Sequence, residues 1–571
     1  MLLQQLVAHA ETLPDAVPSG YQRKMVRYLI DLSADGRGLQ ISQIGDDPKN
    51  RGMALAVPHM KRANGIRPIL LADTATYTLG IPREKDDPSR VKDQVAAYRA
   101  VVERCAAETG EPSVQTIAHF LSRIPESMPA LPDNFDPSAT MTFEVDGVRP
   151  VNLPAVRRFW ASALGGDDAE EGGQQFECIV CGQMKPAVRI HPLKIKGILA
   201  GQSGGTDLIS GNNDAYFSYG LENSLIAPTC ADCAEKYANG LNALLADRAT
   251  HLRSAGIEYC AWAAAGRETG IIDLLDEQTS DLALRILDAF WSGREASLFI
   301  DPSPFYALAL SGNGARTVVL AWLDTTLGQA YQRLRDYFNA QRIVEYDGAP
   351  GKPFPLRRLA NAMVRDPAKQ QPPRNDVAAL MRFALAGTPL PLDLLNQAVL
   401  RCRAEQGVRR DRAALIKMVL VSRGLVDGEG GRMESLDLEN RDPAYLCGRL
   451  LAILDAIQRQ ALGNPNTTII DRFYGSASSA PASVFGTLMR GAQPHLAKLR
   501  KDRHGAYLAL SERLEQVSIG LKEFPPTLTL QQQGLFALGF YHQRGEDRRQ
   551  VRERAAARQA NDDAEAAIEP A

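Results

Sequence analysis

The sequence predicts an α+β fold: a mixed N-terminal region that contains a cysteine-bounded insertion, followed by an all-α C-terminal helical bundle. Three observations predict it. Strand-like and helical segments alternate in the first half of the chain, two Cys-x-x-Cys pairs enclose a long polar segment, and helical periodicity dominates after a proline-rich stretch. The predicted parts are residues 1–365 (N-terminal α+β domain, with the insertion at about 176–236), 366–376 (linker), 377–545 (C-terminal helical domain) and 546–571 (flexible tail).

The N-terminal region opens with apolar runs of strand character and continues with helical patterns. Strand-like runs cover 25–33 and 67–81, and a helical stretch covers 93–109. A strand at 142–147 precedes a helix at 153–165, after which the acidic, glycine-rich segment 165–175 breaks the pattern. This order predicts a mixed N-terminal region of strands and helices.

Residues after the insertion predict two helices and then a hairpin. The helical patterns cover 241–254 and 280–291, and the apolar runs 305–311 and 316–324 flank Gly312-Asn313-Gly314-Ala315. Glycine supplies the positive φ that a tight hairpin turn requires.

The C-terminal region shows one helix start of particular clarity. Asp442 is a good N-cap, and Pro443 suits the first helical position. Downstream, apolar residues recur on one helical face at Leu446, Leu450, Leu451, Leu454 and Ile457. The residues after 545 keep helix-forming types but lose this stripe, which predicts a tail that frays into solvent.

Composition and charge exclude several classes. Apolar residues make up 45% and charged residues 23%, with a net charge of -2, so the chain is typical of a folded globular protein without a whole-molecule basic field. It contains neither an apolar run long enough to span a membrane nor a secretory signal pattern at MLLQQLVAHAETLPDA. We therefore expect no membrane partner and a cytoplasmic protein in which cysteines stay as thiols or metal ligands.

Four of the eight cysteines predict a metal site. Cys178 and Cys181 form one Cys-x-x-Cys pair, Cys230 and Cys233 form another, and residues 182–229 place 48 positions between them. Four thiolates suit one tetrahedral, structural Zn²⁺ without an open position for catalysis. The alternative is four ordinary buried thiols, because the insert is longer than that of a simple zinc ribbon.

The segment 191–224 between the pairs is rich in Gly, Ser and Asn and carries Tyr216, Phe217 and Tyr219. Amide side chains can contact adenine in the major groove, and lysines can contact phosphates, which makes a DNA-reading loop plausible. The candidate residues are Lys194, Lys196, Gln202, Ser203, Asn212 and Asn213. A glycine-rich surface loop that only the metal holds in place is the alternative.

Enzymatic signatures are weak. Gly201-Gln-Ser203-Gly-Gly205 matches the nucleophile elbow of hydrolases, with Asp214 and His251 downstream, but GGTDLISGNND cannot form the helix that must follow the serine. The sequence has no Gly-Lys-Ser/Thr phosphate loop and no His-Glu-x-x-His. We therefore predict a protein that is not an enzyme.

A basic cluster in the C-terminal region predicts a second nucleic-acid contact. Its cations, interleaved with few acids, are Lys498, Arg500, Lys501 and Arg503. They suit a phosphate-tracking surface that favours single strands without reading their sequence. A solvated helix face, or a bundle that only docks on other subunits, is the alternative.

Several long motifs occur in an order that resembles a known family. They include ILLADTATYTLG, CIVCG, HPLKIKGILAGQSGGTDLISGNNDAYFSYG, APTCADC, FYALALSGNGARTVVLAWL, LDLENRDPAYLCGRLLAILDAIQ and DRFYGSASSAPASVFGTLM, over about residues 20–520. Together they resemble the large subunit of the subtype I-C CRISPR surveillance complex, Cascade. The acidic insert at 165–175 and the tail fall outside the resemblance.

The resemblance implies a non-catalytic subunit that recognises a short flanking motif, the PAM, helps to open the duplex and stabilises the R-loop, while a guide RNA reads the target. Implied partners are the crRNA, the guide-RNA backbone subunit, the 5′-handle-binding subunit, double-stranded target DNA and a recruited nuclease-helicase. Gly201, Gln202, Ser203 and Gly211, Asn212, Asn213 match the family's Gly-Gln-Ser and Gly-Asn-Asn segments.

The resemblance also implies a C-terminal bundle similar to the small subunit of related complexes. The family is known to make that subunit from an internal start in the same gene. Met433 and Met489 are in-frame methionines at which such a product could begin, and a start at a non-methionine codon is the alternative. A zinc-stabilised scaffold without nucleic-acid contact is the alternative function.

Overall fold

A computed structural model describes most of the chain and divides it into two compact units. The described residues are 1–13, 20–34, 39–45, 52–60, 65–124, 128, 130–167, 175–211, 214–217, 220–292, 296–426, 433–463 and 465–566. The first unit contains residues 1–247 and 310–319, and the second contains 248–309 and 320–571. The predicted linker at 366–376 therefore lies within the second unit, and residues 248–309 group with the helical region.

The first unit combines short strands with helices. Its elements are α1 (Leu2–Thr12), β1 (Tyr21–Val26), β2 (Tyr28–Leu32), β3 (Leu39–Gln43), β4 (Met53–Pro58), β5 (Ala72–Thr74), α2 (Ala75–Thr78), α3 (Pro88–Thr109), α4 (Pro112–Ser122), β6 (Thr140–Val145), α5 (Pro154–Asp167), β7 (Gln175–Glu177), β8 (Met184–Pro186) and α6 (Ala231–Ala246). A four-stranded sheet has the order β3-β2-β6-β5, in which β2 and β6 are parallel and the other pairs antiparallel.

This sheet and its helices bury one core. Phe143 on β6, Tyr98 and Val102 on α3 and Trp160 on α5 are all at most 1% exposed. Strand β1 pairs with β4, and β7 pairs with β8, in two separate antiparallel ribbons. The mixture of strands and helices predicted for this region is confirmed.

The second unit begins with strands and becomes helical. Its elements are β9 (His251–Ser254), β10 (Ile257–Ala263), α7 (Ile271–Leu275), α8 (Asp281–Ser292), β11 (Pro304–Asn313), β12 (Arg316–Thr326), α9 (Leu327–Gln341), α10 (Leu356–Asn361), α11 (Arg374–Ala386), α12 (Leu392–Ala404), α13 (Arg410–Ser422), α14 (Pro443–Leu462), α15 (Ile469–Ala477), α16 (Phe485–Asp502), α17 (His504–Gly520) and α18 (Leu530–Ala566). A four-stranded sheet has the order β12-β11-β10-β9, and the β11–β12 hairpin occurs where the glycine-rich turn predicts it. The tip of this hairpin, residues 310–319, belongs to the first unit.

Two local predictions were wrong for identifiable reasons. The apolar run 67–81 contains only the three-residue strand β5, and the chain then turns into α2, whose four residues are all buried. The pattern at 241–254 is half helix: α6 ends at Ala246, and His251–Ser254 form β9 because they pair with β10. In both cases tertiary burial and pairing override local periodicity.

The C-terminal helices pack around α14 as the apolar stripe predicts. The Asp442 carboxylate caps α14 by accepting hydrogen bonds from the backbone N–H groups of Ala444 and Tyr445. Two glycines let α14 and α18 approach closely: a Cβ on Gly448 would lie 2.0 Å from the Phe536 carbonyl oxygen, and one on Gly539 would lie 2.1 Å from that of Tyr445. Helix α18 continues to Ala566 and so includes much of the predicted tail.

Among the described residues, no helix is both long and apolar enough to cross a lipid bilayer.

Candidate metal centre and nucleic-acid interface

The four paired cysteines converge on one point of the first unit. The Sγ atoms of Cys178, Cys181, Cys230 and Cys233 all lie within 4.8 Å of one another. All four are free thiols, of which only Cys181 is exposed. The 48 intervening residues therefore form an insertion whose two ends meet at this cluster.

Local backbone structure aims the sulfurs at the same point. Cys178 and Cys181 lie in the turn between β7 and β8, where the Gly182 N–H donates to the Cys178 carbonyl oxygen over 2.8 Å and Gly182 adopts a φ of +68°. Cys230 is the N-cap of α6, and Cys233 lies in its first turn. A knuckle and a helix N-terminus thus each present two sulfurs.

The donor set fits one Zn²⁺. Four sulfurs at about 2.3 Å from a tetrahedral metal lie about 3.8 Å apart, close to the observed cluster, in which Cys181 Sγ and Cys230 Sγ are 4.0 Å apart. Burial raises the pKa of Cys178, but backbone N–H donors from Cys181, Cys230 and Val180 outweigh it and lower that pKa to about 7. Burial and the neighbouring thiols raise the pKa of Cys233. A divalent cation would stabilise thiolates at such spacing.

Helix α1 braces the cluster, which sequence patterns did not reveal. Leu3 and Val7 pack against the buried cluster of Cys178, Val180, Cys230 and Cys233. The Gln4 amide donates to the Val180 carbonyl oxygen over 3.1 Å. Gly240 on α6 permits this contact, because a Cβ there would lie 2.3 Å from the Leu6 carbonyl oxygen. Three residues of α1 therefore contact the cysteine cluster directly.

The loop between the cysteine pairs is bound to the tip of the β11–β12 hairpin, within the first unit. The Gln202 N–H donates to the Gly314 carbonyl oxygen over 3.0 Å. The Asp207 N–H donates to Ala315 over 2.8 Å, and the Thr317 N–H donates back to Asp207 over 2.9 Å. Two isolated backbone bridges, Gly201 to Gly314 and Asp207 to Arg316, therefore join the loop to the hairpin tip.

Close backbone approach at the hairpin tip requires glycine. A Cβ on Gly312 would lie 2.5 Å from the Gly201 nitrogen and 2.6 Å from the Leu199 carbonyl oxygen. Beneath this contact, the buried hydroxyls of Thr206 and Thr317 are 2.6 Å apart. The glycines of this loop therefore have a packing role as well as any role in binding.

The predicted loop residues differ in environment. Lys194 forms an ion pair with Asp207, whereas the Lys196 side chain is exposed and its backbone N–H donates to the Asn242 side-chain oxygen over 2.8 Å. Gln202 and Ser203 are both exposed in the turn that the Gly205 N–H closes on the Gln202 carbonyl oxygen. Asn212 and Asn213 lie outside the described residues.

A buried histidine supports the base of the loop. His191 is 2% exposed, and its Nδ1 forms a hydrogen bond with the Tyr237 hydroxyl of α6. Burial lowers the pKa of His191 to about 4, although the negative charge of Asp207 acts to raise it. The imidazole is therefore neutral at physiological pH, and the base of the loop is joined to the helix that supplies two of the cysteines.

The structure adds a cation to the loop that sequence reasoning missed. The Arg316 guanidinium carbon lies 4.3 Å from the centre of the Tyr216 ring. Arg316 follows the loop by about 100 residues in sequence, so no local motif connects it with Tyr216. The sequence predicted the hairpin that carries Arg316, but it did not indicate which residues the hairpin tip contacts.

The predicted C-terminal cations share one helix end. Lys498, Arg500 and Lys501 lie in the last two turns of α16, and all three side chains are exposed. None of these three forms an ion pair with another described residue. Arg503, also exposed, donates from a guanidinium nitrogen to the Gln460 carbonyl and side-chain oxygens at 3.4 Å and 3.3 Å. The arrangement leaves three cations directed to solvent.

The residues of the possible hydrolase elbow have other contacts. Ser203 lies in a turn, and no helix follows it directly. His251 on β9 pairs through its Nε2 with the buried Glu258 carboxylate over 2.7 Å, and Arg253 binds the same carboxylate. The structure thus gives His251 a structural partner.

The family whose model matches this chain is described as CRISPR-associated protein (Cas_Csd1), and the match covers residues 3–547. The chain belongs to this family. It is a type I-C Cascade large subunit, as the ordered motifs indicate. The match extends beyond both ends of the resemblance seen in the sequence and stops at the start of the predicted tail. A comparison with curated proteins finds no match.

Proposed function

We propose that this large subunit recognises the PAM on target DNA through residues 182–229, the loop between the two cysteine pairs, which we call the zinc-clipped loop. In this proposal the subunit also helps to open the duplex and stabilises the R-loop. It recruits a separate nuclease-helicase and does not itself catalyse a reaction. The observation that supports this proposal most is that the loop is held in place at both ends and in its middle. A four-cysteine cluster clips both ends, the hairpin tip holds the middle, and the polar turn with Gln202 and Ser203 stays exposed. Rigid backbone with exposed amides is what base reading requires.

The proposed contacts divide into two kinds. Lys194 and Lys196 would bind phosphates. Lys194 should contribute less to DNA affinity, because it already forms an ion pair with Asp207. Gln202, Ser203, Asn212 and Asn213 would contact bases or shape the loop. Phosphate contacts set affinity for every sequence, whereas base contacts set preference among sequences.

The C-terminal region has a complementary role in the proposal. Lys498, Arg500, Lys501 and Arg503 would track the phosphates of the separated strands, since single strands bind exposed cations without sequence readout. The complex would also contain crRNA, the guide-RNA backbone subunit, the 5′-handle-binding subunit and a small subunit made from the same gene.

A binding experiment tests the loop. Duplexes with varied flanking sequences are titrated with the assembled complex across a range of salt concentrations. Asn212→Ala, Asn213→Ala or Gln202→Ala should cost about 1–3 kcal/mol on the preferred flank and relax the preference. Gln115→Ala, an exposed amide on α4, is the matched control. If all three loop variants discriminate among flanks as the parent does, the loop does not read the motif.

One observation favours the scaffold alternative. The cysteine-clipped subdomain exposes several large apolar side chains, among them Met184 at 63%, Ile190 at 55% and Leu199 at 46%. Such residues suit a contact with another protein subunit. Duplex binding that is absent, or that has no dependence on salt concentration, would support the scaffold and contradict DNA recognition by this chain.

A further inference from the structure

The zinc-clipped loop presents two exposed aromatic rings next to each other. Tyr216 is 45% exposed and Phe217 is 37% exposed, although large aromatic side chains are mostly buried in a folded chain. They lie in a short helical turn, 214–216, and directly after it.

The Tyr216 ring is partly covered by a cation from another part of the chain. The Arg316 guanidinium carbon lies 4.3 Å from the ring centre, within the distance of a cation–π contact. Arg316 is the first residue of β12. Its neighbours Ala315 and Thr317 both bond to the Asp207 backbone, so the hairpin holds this cation at a defined place beside the loop.

We propose that Tyr216 and Arg316 form a stacking platform for an unpaired nucleobase where the target duplex begins to separate. The proposal rests on the proposed function, because it assumes that this loop meets DNA. An aromatic face stacks on any base without sequence preference, and a guanidinium adds cation–π and phosphate attraction. Lys196 and the Gln202 turn belong to the same loop and would place the flanking duplex beside the ring.

A stacking platform would favour opening of the duplex by stabilising the unpaired base. A base that leaves the helix loses its stacking partners, and a ring that replaces them lowers the free energy of the open form relative to the paired form. Tyr216 should therefore matter for DNA with an unpaired base and contribute little to a fully paired duplex.

The test uses the full-length chain and two DNA probes. One is a duplex with 2-aminopurine opposite an abasic site next to the preferred flank, and the other is the same duplex fully paired. The parent should bind the first more tightly and quench its 2-aminopurine fluorescence. Tyr216→Ala should weaken binding of the unpaired-base probe about five- to tenfold, abolish the quenching and leave the paired probe unchanged.

Two further variants separate stacking from folding. Tyr216→Phe keeps the aromatic face and should retain affinity and quenching, whereas Arg316→Ala should lose part of both. Tyr346→Ala is the matched control, because Tyr346 is also a 44% exposed tyrosine beneath an arginine, Arg548 at 3.9 Å. Zinc content and the melting temperature of each variant show whether the metal centre is intact.

The outcomes distinguish the platform from the proposed function. A parent that binds neither probe contradicts DNA recognition itself. A parent that binds both, with Tyr216→Ala keeping the parental ratio between probes, contradicts the platform alone. Equal weakening of both probes would make Tyr216 a brace of the loop, and lost assembly with partner subunits at unchanged DNA affinity would make it a protein contact; either result overturns the platform.

Discussion

Lys194 forms an ion pair with Asp207, and this pair joins two arms of the loop between the cysteine pairs that are 13 residues apart in sequence. The Asp207 side chain is 12% exposed and that of Lys194 is 36% exposed. The same aspartate holds the hairpin tip through its backbone N–H and carbonyl groups. Asp207 thus contacts both the other arm of its own loop and the tip of the hairpin.

The two loop lysines should therefore respond differently to substitution. Lys196→Ala should weaken binding to all duplexes alike and flatten the slope of log K against log salt by about one. Lys194→Ala should flatten the slope less and lower the free energy of unfolding by about 1–2 kcal/mol, because it leaves the largely buried Asp207 carboxylate without its cation. Salt titrations and denaturant unfolding measure both effects. Equal slope changes with unchanged stability would show that Lys194 acts mainly on phosphate.

The metal prediction concerns composition and folding together. The purified chain should contain one zinc per molecule by elemental analysis, and Cys178→Ser or Cys230→Ser should release it and unfold the subdomain, since metal binding at structural sites is largely folding energy. Cys105→Ala is the matched control, because Cys105 is buried in the same unit but outside the cluster. Protein purified without chelator that contains no zinc would refute the assignment.

The close contact between α14 and α18 should not tolerate a side chain at the glycine positions where the two backbones meet. Gly448→Ala places a Cβ 2.0 Å from the Phe536 carbonyl oxygen and should separate the helices, at a cost of several kcal/mol, on the order of other severe overpacking. Gly491→Ala on α16 is the control: its Cβ meets nothing within 4 Å, so the higher helix propensity of alanine should add up to about 1 kcal/mol. Thermal melting of both variants tests this, and equal melting temperatures would argue against a tight contact.

Residues 433–571 should fold without the rest of the chain. Helix α14 packs against α15, α16, α17 and α18, all of which lie within this segment. The segment is expressed alone, and its helicity and cooperative melting are measured by circular dichroism. A disordered product would show that α18 needs α12 and α13, which it also contacts.

The cations at the end of α16 should bind single strands. Replacing Lys498, Arg500, Lys501 and Arg503 together by alanine should weaken single-strand binding and reduce its salt dependence, because each lost phosphate contact flattens the slope by about 0.7. The control removes the same number of exposed cations from elsewhere, Lys85, Arg90, Lys92 and Lys369. Identical behaviour of the two variants would leave α16 as a solvated surface.

His542 should make the helical region sensitive to acid. Burial, with a further contribution from the nearby Lys417 charge, lowers the pKa of His542 to about 3, while its Nδ1 contacts the Tyr445 hydroxyl at 3.0 Å. Below pH 6.5 the His542 imidazole is protonated in the unfolded chain but stays neutral in the folded chain. The free energy of unfolding therefore falls as pH falls from about 6.5 towards 3, by up to about 1.4 kcal/mol per pH unit. His542→Gln should lose less stability over this range. Denaturant unfolding between pH 7 and 4 measures the difference, and parallel curves would exclude the histidine as a cause.

Local patterns in the sequence determined the cysteine pairs, the Asp442-Pro443 helix start and the glycine hairpin, because spacing, capping and turn geometry act over a few residues. The same local reasoning failed at 67–81 and 241–254, where burial and strand pairing decided between helix and strand. Ordered motifs identified the family, which the match over residues 3–547 confirms.

Only the tertiary structure decided what the candidate residues touch. The sequence offered Lys194 as a phosphate contact equal to Lys196, but the fold places Asp207 against it. It contained no sign that α1 braces the cysteines or that Arg316 covers Tyr216, since both contacts join segments more than 90 residues apart. Contacts of that separation depend on how whole elements pack, and the burial that selects them is a property of the assembled core rather than of any local segment.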